Sequence, residues 1–446
     1  MSYGKFAQET AITWTTEALS LFIGIGSSIV LARVLGPEGK GIYALATLLP
    51  SLIVAFGNLG IGSGTVYYVA RGDFRWQTIL GNNVLLSLGT SIIGILAGLV
   101  IVFFFREGIF PGVAIGYLVL AMAFVPAEMF FSHMRYVLLG AQRIKEFNYI
   151  QIAQSAFFLG FLTIALLGLR AGVTGAIIAG LITWLIIDII IFRLAKTVSA
   201  GIDMKPNTAY IKRVVIYGIQ AHLSNILGFL NYRVDMFLVN AFLGPAAVGL
   251  YTVGVGLVEK LWMLSFAAST VLFPRVAAET EEKKRKEFTP LVARTVLWST
   301  AVGALILALV SRWVVVLLYS EAFLPAASAL QALLLGIITL SAGRVLANDI
   351  AGRGLPRLNI YTGTVAVLTN VALNILWIPK FGIVGAAWAS TVSYTVLFLG
   401  SLFFYCRLSG NRWTVVVLPQ QEDWVLYAGT GKALFKQALG KARAAL

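Results

Sequence analysis

About twelve runs of roughly 20 mainly apolar residues follow one another along this chain. Their approximate centres are Ile23, Ile53, Ile93, Met122, Phe161, Leu181, Leu227, Met263, Leu305, Leu335, Leu368 and Tyr394. The breaks between them are short and carry Gly, Pro or charge, as at Arg71–Arg75, Arg106–Gly108 and Pro379–Gly382. No break could hold a folded soluble domain. Charged residues make up only 12% of the 446, about half the share of a water-soluble chain. Lipid is therefore the expected solvent, and the expected fold is an all-α integral membrane protein of about twelve transmembrane helices.

Lys and Arg set the expected orientation. With the N-terminus in the cytoplasm, the inner breaks hold Arg71, Arg75, Arg143, Lys145, Arg353 and Arg357, among others. The outer breaks hold only Arg33, Lys40, Arg106, Arg170, Arg312 and Lys380. The bias is about twenty to six, so both termini are expected in the cytoplasm. The net charge of +15 is spread between apolar runs, and even the Glu281–Glu287 run lacks a carrier domain, so no nucleic-acid partner is expected. It reads as an orientation signal with affinity for anionic lipid.

The sequence repeats itself. "LGPEGKGIY" (Leu35–Tyr43) returns as "LGPAAVGLY" (Leu243–Tyr251), 208 residues on. "GVTGAIIA" (Gly172–Ala179) returns as "GIVGAAWA" (Gly382–Ala389), 210 residues on, and Gly140–Lys145 resembles Gly352–Arg357. Ordered matches at nearly constant offset imply two lobes of six helices related by a pseudo-two-fold axis along the membrane normal. The expected divisions are residues 1–200, residues 201–411, and a basic cytoplasmic tail over 412–446. That tail either lies on the inner leaflet as an amphipathic segment or hangs loosely. The paired LGP segments are expected to be short outer loops, hinges where the lobes part, with the charges of Glu38 and Lys40 marking only drift between copies.

Ionisable residues inside apolar runs are costly and face a cavity or a partner. On the seventh span, His222, Asn225 and Arg233 fall within about 60° of one direction, with Asp235 on the other side. Arg233 either lines a cavity, pairs with Asp235 or snorkels towards the outer surface; with His222 and Asn225 it is a candidate for substrate binding, and Asp235 is a candidate coupling-ion or cavity residue. His222 is either a packed histidine or a group that titrates near neutral pH. The 208 offset matches Asn225 with Glu17 of the first span, which either binds a coupling cation, balances Arg233 or makes an interhelical hydrogen bond. Lys260 and Glu259 point about 100° apart, so one can meet substrate while the other packs. Arg344 either guards an inner gate or snorkels. Asp188 and Glu128 carry only a weak suggestion of a coupling site. Tyr67, Tyr68, Tyr217, Tyr232 and Trp14 are interfacial anchors or sugar-stacking rings.

Several chemistries are excluded. There is no Walker A sequence, no dinucleotide fingerprint and no HExxH. One cysteine, Cys406, and two histidines leave no metal cluster to build. No catalytic residue, metal centre or cofactor is expected, apart from Na+ or H+ as a coupling ion.

The segments "ARVLGPEGKGIYALA", "NYRVDMFLVNAFLGPAAVGLYTVG", "LFPRVA" (Leu272–Ala277) and "FGIVGAAWAST" resemble the polysaccharide flippase family. This is the Wzx-like branch of the multidrug/oligosaccharidyl-lipid/polysaccharide exporter superfamily. The resemblance covers the chain up to about Arg412. It implies a MATE-like pair of lobes around a central cavity in the bacterial cytoplasmic membrane. It also implies transfer of a polyprenyl-pyrophosphate-linked oligosaccharide from the inner to the outer leaflet by alternating access, for surface polysaccharides such as O-antigen. Arg233, Lys260 and Arg344 are the cations it suggests for the pyrophosphate. Glycosyltransferases and a glycan polymerase of the same pathway are the partners it implies. Two other readings stand beside it: a cation-coupled multidrug exporter of the same superfamily, and a membrane glycan polymerase or ligase.

Overall fold

The computed structural model describes residues 3–199, 201–262, 265, 276, 281–421 and 423. These are helical almost throughout. In chain order they form α1 (Tyr3–Gly57), α2 (Ile61–Arg71), α3 (Trp76–Ile109), α4 (Ile115–Ala121), α5 (Phe124–Gly140), α6 (Ile144–Thr163) and α7 (Gly172–Lys196). Then come α8 (Thr208–Leu243), α9 (Pro245–Val258), α10 (Glu282–Tyr319), α11 (Ala326–Gly352), α12 (Pro356–Ser409) and α13 (Trp413–Val417).

Nine of the described helices are long and apolar enough to cross a membrane. Two of them hold two crossings each. Gly36, at φ 67°, divides α1, and Gly382, at φ 60°, divides α12. With α9, this accounts for the twelve spans read from sequence. The centre of the eighth, Met263, lies outside the described residues, as do most of "LFPRVA" and the tail from residue 424 onward.

The repeat is visible in the backbone. Gly36 and Gly244 both take positive φ, 67° and 81°, a conformation costly for any residue with a Cβ. In each copy the following Pro sits where a helix begins and lacks an N–H to satisfy. The expected loops are thus absent: a single glycine turns one span into the next. Gly172 and Gly382 repeat the pattern at φ 58° and 60°.

The chain packs as two units. The first comprises Met1–Lys260, Ala308–Leu333 and Val367–Ser390, and the second Leu261–Leu307, Leu334–Ala366 and Thr391–Leu446. In the first, a cluster of Leu80, Phe131, Met134, Ile150, Ile187 and Ile191 joins α3, α5, α6 and α7. In the second, Val296, Val345, Leu346, Phe398, Leu402 and Tyr405 join α10, α11 and the end of α12. Val416 of α13 adds to that cluster. Phe104 and Trp313, each 79% exposed, show what the outward faces are made for. Such rings belong against lipid, where every backbone group must be satisfied within its own helix.

Within the first unit the two LGP copies touch each other. A Cβ built on Gly41 would lie 1.7 Å from the carbonyl oxygen of Pro245, and one built on Gly249 would lie 1.9 Å from that of Pro37. The contact is reciprocal at the repeat offset, 37 with 249 and 41 with 245. Only glycine lets backbones approach this closely. The LGP segments are therefore a mutual contact as well as a pair of turns. Gly60 and Gly218 make a second such approach: a Cβ on Gly60 would lie 2.3 Å from the Gly218 oxygen. The helical stretch from Gly41 to Gly57 that separates the two contacts is about 24 Å long, most of the thickness of a bilayer's hydrocarbon core.

Lys40 corrects the expectation that its charge is incidental. It is 7% exposed, and its Nζ donates to Ser28 Oγ at 3.1 Å and sits 5.8 Å from the Tyr319 ring. Arg33 donates to the carbonyls of Leu317 and Leu318, the orphan acceptors at the end of α10. The beginning of the tail is likewise not loose. Arg294 of α10 grips Asp423 with two hydrogen bonds of 2.8 and 2.6 Å, and the pair is almost fully buried. The Arg294 guanidinium holds the Asp423 carboxyl below its usual range.

Candidate functional site: a membrane cavity at Arg233

Between the two glycine contacts lies a cavity of about 430 Å³. The second span of α1 supplies Tyr43, Thr47 and Ser51, α8 supplies Phe229, Arg233 and Met236, and α9 supplies Thr252 and Gly256. Glu259, in the 3-10 turn that follows α9, completes the wall. The spacing is helical: 43, 47 and 51 repeat every four residues, as do 229, 233 and 252, 256, so each element turns one stripe inward.

Arg233 Nη1 lies 2.9 Å from Glu259 Oε1, with the two side chains 31% and 20% exposed. The 2.9 Å ion pair is thus with Glu259, 26 residues on, while Asp235 feels the Arg233 charge. Asp235 is 2% exposed. It accepts from Tyr251 Oη at 2.6 Å, from Ser390 Oγ at 3.0 Å and from the Met236 amide at 2.8 Å. Asn370 donates to Ser390 Oγ at 3.3 Å, and Asn374 donates to Asn370. Three donors and the nearby charge of Arg233 explain why a buried carboxylate is tolerated there. The donors also fix the face of α8, so that Arg233, two residues earlier, is turned into the cavity.

Of the other cationic and polar residues singled out by sequence, Lys260 stands next to Glu259 and is exposed, outside the cavity lining. Arg344 belongs to the second unit, with its guanidinium 4.3 Å from the centre of the Trp262 ring. That is stacking distance for an arginine on indole. His222 is buried, its Nε2 3.4 Å from the Phe56 carbonyl, and is not among the lining residues of this cavity. Asn225 and Glu17 are exposed, and Glu17 feels the charge of Arg135. Of the polar stripe on the seventh span, Arg233 lines the cavity, and His222 and Asn225 do not.

A second chamber of about 590 Å³ adjoins it. Ser27, Ser28, Glu128, Arg135, Gln151, Gln154 and Thr183 line it, and Tyr43 and Thr47 line both chambers. Arg135, Gln151 and Gln154 were not singled out in the sequence. The repeat could have found the tyrosine: Tyr43 and Tyr251 are counterparts, one on a cavity wall and one on a buried carboxylate.

A family model described as "Polysaccharide biosynthesis protein" matches residues 30–328. "Uncharacterized membrane protein MJ1068" of Methanocaldococcus jannaschii is 28% identical over 47% of this chain and 43% of its own length. The chain thus spans less than half of that relative. "Putative O-antigen transporter" of Shigella flexneri is 23% identical over 86% of this chain and 94% of its own length. Among solved structures, "Lipid II flippase MurJ, inward closed conformation" aligns with a TM-score of 0.73 at 15% identity, covering 89% of this chain and 87% of that one. An inward-facing "multidrug resistance MATE family transporter of the MOP superfamily" aligns with a TM-score of 0.74 at 16% identity, covering 90% and 98%. At these identities the structures establish the fold: an all-α membrane architecture of the MATE type.

Proposed function

The chain belongs to the polysaccharide biosynthesis protein family, and we propose that it is a flippase moving a polyprenyl-pyrophosphate-linked oligosaccharide across the membrane. The observation that carries this reading is the Arg233 guanidinium in a cavity walled by three spans. A pyrophosphate is a dense anion. Its transfer into hydrocarbon without a counter-charge would cost many kcal/mol. Arginine presents a planar fork of donors that matches phosphate oxygens two at a time. The hydroxyls of Thr47, Ser51 and Thr252 surround it with neutral polar groups suited to a sugar-bearing head. The polyprenyl chain stays in lipid, against faces such as those of Phe104 and Trp313.

The nine long apolar helices among the described residues make a multi-pass membrane protein. The bias of Lys and Arg supports both termini inside, and the Shigella flexneri relative supports a bacterial cytoplasmic membrane. Glycosyltransferases that build the lipid-linked glycan and a polymerase that consumes it are the partners such a carrier needs. The family and the relative named as an O-antigen transporter support transport rather than catalysis. Na+ or H+ coupling is compatible with the acidic groups buried around the cavity.

The test is surface glycan assembly in cells whose own copy is deleted. Arg233→Ala should abolish assembly while the protein remains in the membrane, and Arg233→Lys should retain part of it. Wild-type glycan levels with Arg233→Ala would remove the cation from the account.

A further inference from the structure

Glu259 presents the cavity with a problem that the flippase reading leaves open. The cation meant for the pyrophosphate is already held, at 2.9 Å, by a carboxylate on the neighbouring wall. The pair is neither fully buried nor freely solvated, so neither partner is locked in place. Among the described residues the lining offers no other charged side chain, and Tyr43 is the one further titratable group in it. A lone arginine would hold a pyrophosphate tightly and release it slowly. A carrier must bind well enough to load and weakly enough to unload.

We propose that Glu259 is an internal competitor that ejects the pyrophosphate from Arg233. In the empty cavity the carboxylate occupies the guanidinium. An arriving pyrophosphate, with more charge and more acceptor oxygens, displaces it. As the head leaves, Glu259 closes back on Arg233 and blocks rebinding. No covalent bond changes; one ion pair is exchanged for another. Glu259 is a release-determining residue on this account, and the account rests on the flippase reading above.

Among the described residues, the acid nearest in sequence is engaged elsewhere: Asp235 feels the Arg233 charge but takes its hydrogen bonds from Tyr251 and Ser390. Lys260, next in the chain, is outside the lining, and Glu128 and Arg135 lie in the adjoining chamber beyond Tyr43 and Thr47.

The experiment uses the full chain in nanodiscs with undecaprenyl pyrophosphate as the probe. Glu259→Gln keeps the side chain's shape and hydrogen-bonding reach but removes its charge. It should bind the probe roughly tenfold tighter. In proteoliposomes it should turn over several-fold more slowly, with a lower KM. A second arm repeats the measurement in an Arg233→Ala background, where removing the Glu259 charge should bring a much smaller gain.

Equal or weaker binding by Glu259→Gln, or an equal gain in the Arg233→Ala background, overturns the competitor role. Either result leaves the substrate reading intact if binding still depends on Arg233. Failure of the wild type to bind the probe at all overturns the substrate reading itself.

Discussion

Replacing Gly41 with alanine should force the two LGP segments apart. The new Cβ would sit 1.7 Å from the Pro245 carbonyl oxygen, where contacts below 3.0 Å are essentially never made. The segments must therefore separate by at least about 1.3 Å, since both obstacles are backbone and neither can rotate away. Overpacking of this kind costs about 1–3 kcal/mol. Charged to the closed arrangement alone, it would shift the balance between closed and open forms by roughly 5- to 150-fold. The chain has one cysteine, Cys406, so Cys406→Ser gives a clean background. Ser51→Cys then places a reporter on the cavity wall. In whole cells, Gly41→Ala should raise labelling of that reporter by an impermeant maleimide at least about fivefold. Gly249→Ala should do the same, and the double variant should do less than the sum, because both relieve one contact. Gly24→Ala, whose Cβ would meet nothing within 4 Å, is the inert control. Wild-type labelling with Gly41→Ala would refute the view that this contact closes the cavity to the outside.

Two further outcomes follow from buried polar contacts. Tyr251→Phe removes the 2.6 Å donor from Asp235; a buried group that loses a partner costs about 1–3 kcal/mol, so thermal unfolding in detergent should shift several degrees downward. Asp423→Asn strands Arg294, which is 6% exposed, at about 3–5 kcal/mol, and should make the residues after Val417 sensitive to limited proteolysis. Acid should do the same to the wild type. The Asp423 carboxyl is held below its ordinary value of 3.8, so its contribution is complete above that pH and is lost only as pH falls through the lowered value.

The crossings and the repeat were legible because each depends on local chemistry. Apolar length reports a span, and a glycine followed by proline reports a turn that needs positive φ and a missing N–H. Even there, the expected loop proved to be one residue, because glycine alone reverses the chain. Arg233 was legible as an expensive charge. Its partner was not, because periodicity orders residues around one helix and says nothing of which helix lies opposite. Asp235 was the nearer acid in sequence, but its place two residues from Arg233 turns it to the far side of α8, where Tyr251 and Ser390 hold it. Lys40 looked like drift because its copy in the second half is uncharged; its role depends on Ser28 and Tyr319, one of them in a span nearly 280 residues away.

The central claim is that Arg233 carries the pyrophosphate head of a lipid-linked oligosaccharide across the membrane. It is tested most directly in proteoliposomes loaded with that lipid on one leaflet, by following its appearance on the other. The account predicts translocation that depends on the protein, is abolished in Arg233→Ala and is partly kept in Arg233→Lys. Translocation at the wild-type rate by Arg233→Ala would contradict it.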